Sequence, residues 1–366
     1  MPFTKSKKMK IIIISPSLNP NINVSGISSV THFIIKRNTQ HEYIHFELGK
    51  KDNEHGGIFR IFIILKCLLQ WYKLLSMYKD AIIHYNFPLS KKSILRDSIF
   101  IWIAYKRKYR MIIHIHGGIF LTASHTPAYL NFLLNKIFKL PIPFIVLSKT
   151  EEEILKKRFN CKNINILPNC PNINEDKSSI IERTNYNGTL NIGYLGRISE
   201  TKGMDYLLQA CIEMKKQQKS FMLKIAGKEE LENQYLPKFK KELTDHFTYE
   251  GIVSGKSKIS FLQSLDIFIL PSYFEGLPMA LLESMSAGVV PVTTNVGSIN
   301  EIIKDGVNGL FIQCKESKSI IEQISKLDNN RDLLCKLSKN AQHTIRTKFN
   351  SDEYIRKLNE IYNSVN

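Results

Sequence analysis

The sequence lacks the cysteine spacings of zinc sites and redox centres. Its six cysteines, Cys67, Cys161, Cys170, Cys211, Cys314 and Cys335, form no C-x-x-C pair, and none stands with a histidine at zinc-finger spacing. They are expected to be reduced thiols, mostly core, in a cytoplasmic protein. No D-x-D triplet occurs, and no metal is expected. No G-x-G-x-x-G is present, which argues against a dinucleotide enzyme. No uninterrupted apolar run reaches the roughly 18 residues of a membrane span. Lys5 to Lys10 followed by Ile11 to Ile14 imitates a signal peptide, but the run is too short and no small-residue cleavage site follows. It reads as a buried first strand.

Negative charge is scarce in one half only. Residues 1–170 hold 26 Lys and Arg against 9 Asp and Glu, a net +17, whereas residues 171–366 hold 25 against 24, a net +1. The two halves therefore suggest different partners. An anionic lipid surface, a lipid-linked diphosphate and nucleic acid all suit a basic half, but no aromatic-interleaved RNA motif is present and no nucleic acid is expected.

At 366 residues the chain is long enough for two domains. Short apolar runs alternate with helical patterns, as in parallel α/β layers. Strands are expected at Lys10 to Ile14, Ala81 to Asn86, Met111 to Gly118, Phe144 to Ser148 and Ile164 to Leu167. A polar, unpatterned stretch follows. A second series runs from Asn191 to Arg197, Leu223 to Gly227, Phe247 to Val253, Ile267 to Leu270 and Val289 to Val292. The expected division is residues 1–170, a linker at 171–188, residues 189–348, and a final helix at 349–366. Ile58 to Tyr78 reads as a helix nearly apolar all round, with Lys66 and Lys73 on one face, either buried or at an interface.

The stretch that organises the chain is Phe274-Glu275-Gly276-Leu277-Pro278-Met279-Ala280-Leu281-Leu282-Glu283, between two strand-like runs. Pro278 suits a first helical position, and Gly288 suits the helix stop. A helix N-terminus here would favour an anion. Glu275 before the helix and Glu283 within it could accept hydrogen bonds from hydroxyls on either side of that anion. Upstream, Arg197 at a strand end and Lys202 just before a helix could converge on one anionic group, a planar fork beside a point charge. Ser25-Gly26 precedes a helix expected near Ser28, where a glycine allows close backbone approach. His116, at a strand end before Gly117-Gly118, lies where open α/β sheets bind ligands, while His114 lies deeper. A zinc pair from His114-x-His116 has no further ligands in the sequence to complete it.

The segment with its Glu-x7-Glu pair, its Gly-Leu-Pro turn and its Glu-Ser-Met-Ser-Ala-Gly ending resembles retaining glycosyltransferases of family four. The Gly-Arg-x4-Lys-Gly pattern at Gly196 to Gly203 resembles that family's diphosphate-binding segment. The likeness spans most of residues 10–350 and is strongest over 190–310. It implies the GT-B fold, two Rossmann-like doubly wound domains facing across a cleft, the last helix crossing back to the first domain. It implies a donor site of Gly26, Arg197, Lys202, Val253, Glu275, Gly276, Leu277, Pro278, Met279 and Glu283. Within it Glu275 and His116 would meet the transferred sugar, Arg197 and Lys202 the diphosphate, Glu283 the ribose and Val253 the base. The catalytic set implied is Glu275, His116, Arg197 and Lys202. Departures from the family pattern are Ser25 for a glycine, Cys170 for a glycine after Pro168-Asn169, and Ser298 and Asn300 for Gly and Pro. The expected activity is hexosyl transfer from a nucleotide-diphosphate sugar, UDP rather than GDP, with no cofactor. The expected acceptor is a saccharide or a polyprenyl-diphosphate-linked saccharide, at the inner face of a membrane, in surface-polysaccharide synthesis. A nucleotide-sugar 2-epimerase is the alternative on the same fold.

Overall fold

A computed structural model of the chain describes residues 8–23, 25–51, 57, 59–122, 125–171 and 188–365. The linker expected at 171–188 lies outside the described residues except at its ends. The chain forms two compact units, one of residues 1–168 with 352–366 and the other of residues 169–351.

Unit one alternates strands and helices: β1 (Lys10–Ser15), α1 (Gly26–Arg37), β2 (Glu42–Glu47), α2 (Phe59–Met77), β3 (Ile82–Phe87), α3 (Lys91–Lys106), β4 (Met111–Ile115), α4 (Ile119–Thr122), α5 (Ala128–Phe138), β5 (Phe144–Val146), α6 (Lys149–Phe159) and β6 (Ile164–Ile166). Its six strands are parallel in the order β2-β1-β3-β4-β5-β6, so the connections change direction between β1 and β3. Ile11 to Ile14 and Ile112 to Ile115 are buried without alternation, as expected of parallel strands covered on both faces.

Unit two comprises β7 (Leu190–Leu195), α7 (Met204–Lys216), β8 (Phe221–Ala226), α8 (Leu236–Leu243), β9 (Phe247–Tyr249), α9 (Gly255–Gln263), β10 (Ile267–Leu270), α10 (Met279–Ser286), β11 (Val290–Thr294), β12 (Leu310–Ile312), α11 (Ser317–Asp328) and α12 (Arg331–Lys348). The sheet order is β12-β11-β10-β7-β8-β9, again parallel, with its change of direction between β7 and β10. The final helix, α13 (Ser351–Ser364), belongs to unit one from Asp352 onward.

Several elements are shorter than their sequence patterns suggest, for local reasons. The strand expected to reach Gly118 ends at Ile115, because Gly117 and Gly118 take positive φ. The strand expected over Phe247 to Val253 stops at Tyr249, and Gly251, at φ +67, turns the chain. α2 is buried on one side only. Trp71 and Leu75 enter the core, with the Trp71 indole N–H donating to the Phe100 carbonyl at 3.1 Å, while Phe62, Leu65 and Leu69 face out.

A polar line fastens α13 to the sheet of unit one. The Tyr362 hydroxyl lies 2.6 Å from His84 Nδ1 and accepts from the Tyr43 hydroxyl at 3.5 Å, and His84 Nε2 lies 3.2 Å from His114 Nδ1. Asn359 of the same helix accepts from the Asn38 amide at 2.6 Å, and Phe33 meets Tyr354 edge-on at 5.4 Å. Tyr362→Phe removes the partner of a buried ring nitrogen, so the expected loss is about 1–3 kcal/mol. The check is a lower urea midpoint at unchanged slope.

Candidate active site

In an open parallel sheet the strand ends on either side of the reversal splay apart, and that crevice is where ligands sit. In unit two those strands are β7 and β10. The residues singled out by sequence follow them: Arg197 and Lys202 after β7, Glu275 to Met279 after β10.

Backbone contacts stitch the two loops together. The Tyr273 N–H donates to the Thr201 carbonyl at 2.9 Å. Gly203, at φ +76, closes the short turn Glu200–Lys202, and a Cβ there would stand 2.1 Å from the Pro271 carbonyl oxygen. Only glycine permits that approach and that backbone angle together. Behind Glu275, Gly297 at φ +58 does the same work: a Cβ would stand 1.9 Å from the Glu275 carbonyl oxygen, and the Ser298 N–H donates to the Gly276 carbonyl at 3.2 Å. Both carboxylate and ammonium thus sit on loops with little room to shift.

Across this stitched junction Lys202 Nζ lies 2.5 Å from Glu275 Oε1, with the carboxylate side chain 9% exposed and the lysine 23%. A second pair flanks α10. Lys258 Nζ on α9 lies 2.6 Å from Glu283 Oε1. Lys258 was not singled out by sequence, because a lysine 25 positions from its partner on another helix carries no local signal. Arg197 is half-buried and its carbonyl accepts from the buried Tyr194 hydroxyl at 2.6 Å. Burial pushes that phenol well above its ordinary range, with Glu275 adding to the rise and Arg197 opposing it.

The head of α10 differs from expectation in one respect. Pro278 is not the first helical residue but the one before it, with extended backbone at φ −70 and ψ 122, and no side chain caps the helix. The helix opens at Met279, so the N–H groups of Met279 and Ala280 have no acceptor within the helix. Leu277 and Met279 are buried, and the Leu277 carbonyl accepts from Asn169 at 2.8 Å, so these side chains brace the loop. Val253 lies past β9, half-buried, two residues before α9.

Gly26 and His116 belong to unit one. Gly26 is the first residue of α1, and a Cβ there would meet nothing within 4 Å. Ser25 is the N-cap, its hydroxyl accepting from the Ser28 N–H at 3.2 Å, which accounts for serine at that position. His116 follows β4, its ring centroid 4.1 Å from that of His114 with the planes tilted by 31°, and its Nε2 lies 2.6 Å from Asn86 Oδ1 on β3. Burial lowers the pKa of His116 to about 3. Cys170, where the family pattern has glycine, is buried, its thiol donating to the Phe349 carbonyl at 3.2 Å.

Residues 176–344 match the family model of glycosyl transferases group 1. Among curated relatives, an uncharacterized glycosyltransferase of Methanocaldococcus jannaschii is 24% identical over 80% of this chain and 78% of its own. The UDP-Gal:alpha-D-GlcNAc-diphosphoundecaprenol alpha-1,3-galactosyltransferase of Escherichia coli is 25% identical over 81% of this chain and 79% of its own. The capsular polysaccharide biosynthesis glycosyltransferase CapM of Staphylococcus aureus is 28% identical over 47% of this chain and 46% of its own. Sucrose-phosphate synthase of Thermosynechococcus elongatus superposes with a TM-score of 0.77 at 14% identity, covering 98% of this chain and 99% of that one. The two units are thus the Rossmann-like domains of the GT-B fold, and the relatives are glycosyltransferases. None of those named is an epimerase.

Proposed function

We propose that the chain is a retaining glycosyltransferase, moving a hexosyl group from a nucleotide-diphosphate sugar to a saccharide or polyprenyl-diphosphate-linked saccharide in surface-polysaccharide synthesis. The observation that carries this reading is the Lys202–Glu275 pair on two loops at the sheet reversal of unit two, beside an uncapped helix end. An ion pair in that place is a site held closed on itself. An incoming diphosphate competes for the ammonium, and Glu275 is then free to accept from sugar hydroxyls.

The barrier to transfer is departure of an anionic diphosphate from the anomeric carbon. Arg197, Lys202 and the opening N–H groups of α10 would stabilise the charge that develops on the leaving oxygen. Glu275 and His116 would hold the sugar, Glu283 the ribose, Val253 the base, and Gly26 would admit the diphosphate close to the backbone. As the anomeric carbon–oxygen bond breaks, the acceptor hydroxyl attacks the same face, and its proton passes to the leaving phosphate oxygen. No protein nucleophile is required, and the anomeric configuration is kept. The donor is read as a UDP-sugar and the acceptor as lipid-linked. Both follow the Escherichia coli relative, whose name states a UDP-Gal donor, a diphosphoundecaprenol acceptor and an alpha linkage. A screen of nucleotide release over a donor panel, with and without lipid-linked acceptors, tests the assignment, and the product's anomeric configuration by NMR tests retention. Isomerisation of the donor without acceptor would instead indicate an epimerase.

A membrane-side acceptor has support in unit one. α3 packs against both α2 and α5, and outward from them stand Phe62, Leu69, Tyr72 and Phe132, each between 59% and 74% exposed. Cations lie among these side chains: the Arg107 guanidinium is 4.4 Å from the Tyr72 ring, and Lys136 Nζ is 5.3 Å from that of Phe132. Apolar tips among basic heads fit an anionic lipid surface, where the rings enter the headgroup layer and the cations meet phosphates. Among the described residues no helix is long and apolar enough to cross a membrane. Cosedimentation with vesicles containing phosphatidylglycerol is expected at low salt. Leu69→Asp combined with Phe62→Asp should weaken it at least tenfold. Binding that is indifferent to anionic lipid, or to those substitutions, would contradict the reading.

A further inference from the structure

The polar row beneath His116 determines which of its ring nitrogens carries the proton. His84 and Asn86 share one face of β3, and His114 shares a face with His116 at the end of β4; in the parallel register Asn86 stands opposite His114. The Asn86 amide makes three contacts. Its Nδ2 lies 2.8 Å from the Ile14 carbonyl and 3.2 Å from Thr31 Oγ1. Thr31 Oγ1 gives its own proton to the Ile27 carbonyl at 2.8 Å, so its oxygen can receive one from Asn86. A carbonyl only accepts, so the NH2 end of the amide must face Ile14. The amide oxygen is left for His116 Nε2, at 2.6 Å. An amide oxygen cannot donate, so Nε2 must.

We propose that Asn86 is a positioning residue that holds His116 as the neutral Nε2–H tautomer, so that His116 meets its ligand through a bare Nδ1, as a hydrogen-bond acceptor and not as a cation or an acid. The orienting chain runs from the Ile14 carbonyl of β1 and Thr31 of α1, through Asn86 of β3, to the end of β4. This chain binds three neighbouring elements of unit one to the protonation state of one ring. The titratable groups facing the row are His84 and His114 on the strands, with Tyr362 of α13 and Tyr43 of β2 behind them. Burial keeps the histidines neutral: His84 is lowered to about 3 and His114 also falls well below its ordinary range. Applied to the reaction, the inference rests on the transferase reading. His116 would accept a proton-sharing contact from a sugar hydroxyl, and neutralising the leaving diphosphate would fall to Arg197 and Lys202.

The test is long-range proton–nitrogen correlation NMR on histidine-labelled full-length protein, with His116→Gln used to assign the ring. The expected wild-type spectrum shows His116 protonated at Nε2, bare at Nδ1, and unchanged from pH 8 to pH 5. A Nδ1–H tautomer, or titration near pH 6.5, would overturn the proposal. Asn86→Asp places a carboxylate against the same nitrogen. It is expected to raise the His116 pKa into the range of pH 6 or above, so that the imidazolium appears as pH falls. Transfer by that variant should then drop at least fourfold in kcat between pH 8 and pH 5.5, where the wild type has no such step from this residue. If Asn86→Asp does not fold, Asn86→Ser should show a mixture of both tautomers. A His116 spectrum identical to the wild type in either folded variant would overturn the role of Asn86. The spectrum distinguishes the two readings: the predicted tautomer in a protein that turns over no donor leaves this inference standing and removes the transferase assignment.

Discussion

Glu275→Ala is expected to lower kcat for sugar transfer about a thousandfold, the scale seen when one preorganised group is removed from a reacting centre. The carboxylate is 9% exposed, held on a loop braced by Gly297, and has Lys202 as its partner. The family resemblance assigns it to the transferred sugar and not to the nucleotide. The loss should therefore fall on kcat, with UDP binding preserved or tightened. UDP tightens because Lys202 no longer has to leave Glu275 to meet the diphosphate. Steady-state kinetics with the identified donor, alongside UDP titration, separate the two effects. Retention of most of the turnover by Glu275→Ala would refute its role.

The second large effect concerns the cations. Arg197→Gln or Lys202→Gln should each lower kcat/KM about a hundredfold, since each removes a charge-assisted contact worth roughly 1.5–3 kcal/mol to a diphosphate whose charge grows in the transition state. Lys202→Gln has a second consequence. It leaves Glu275 partly buried without its ammonium, and removing one partner of a buried pair is destabilising. The Lys202→Gln, Glu275→Gln double variant removes both charges and should regain stability without regaining activity. Measured midpoints for the single and double variants, set against their kcat/KM values, distinguish a structural pair from a working one. If the double variant recovers activity with stability, the pair serves the fold alone.

Much of the architecture was legible because parallel strands covered on both faces are written as unbroken apolar runs: Ile11 to Ile14 and Ile267 to Leu270 could not be solvent-facing. The organising loop was legible for a different reason. Gly276, Leu277 and Pro278 leave the backbone few choices between a strand and a helix. The exact helix start was not legible, since proline restricts φ but not ψ. An angle of −70 serves equally at the first helical position and in the extended residue before it, and ψ of 122 decides for the latter. Contacts made across the sheet or between helices had no local trace. Lys258 finds Glu283 only once α9 lies beside α10, and Asn86 finds His116 only once β3 and β4 are in register. α2 was ambiguous for a related reason. Its sequence is apolar around most of its circumference, so which side enters the core is settled by where Trp71 packs.

In the proposed reaction the Lys202 ammonium exchanges the Glu275 carboxylate for the donor's diphosphate. This exchange is tested most directly by calorimetric titration of UDP into the wild type and Lys202→Gln, with uridine as the reference ligand. UDP binding is expected to weaken about tenfold to thirtyfold in the variant, or roughly 1.4–2 kcal/mol, with uridine unaffected. Equal affinity of the two proteins for UDP would contradict it.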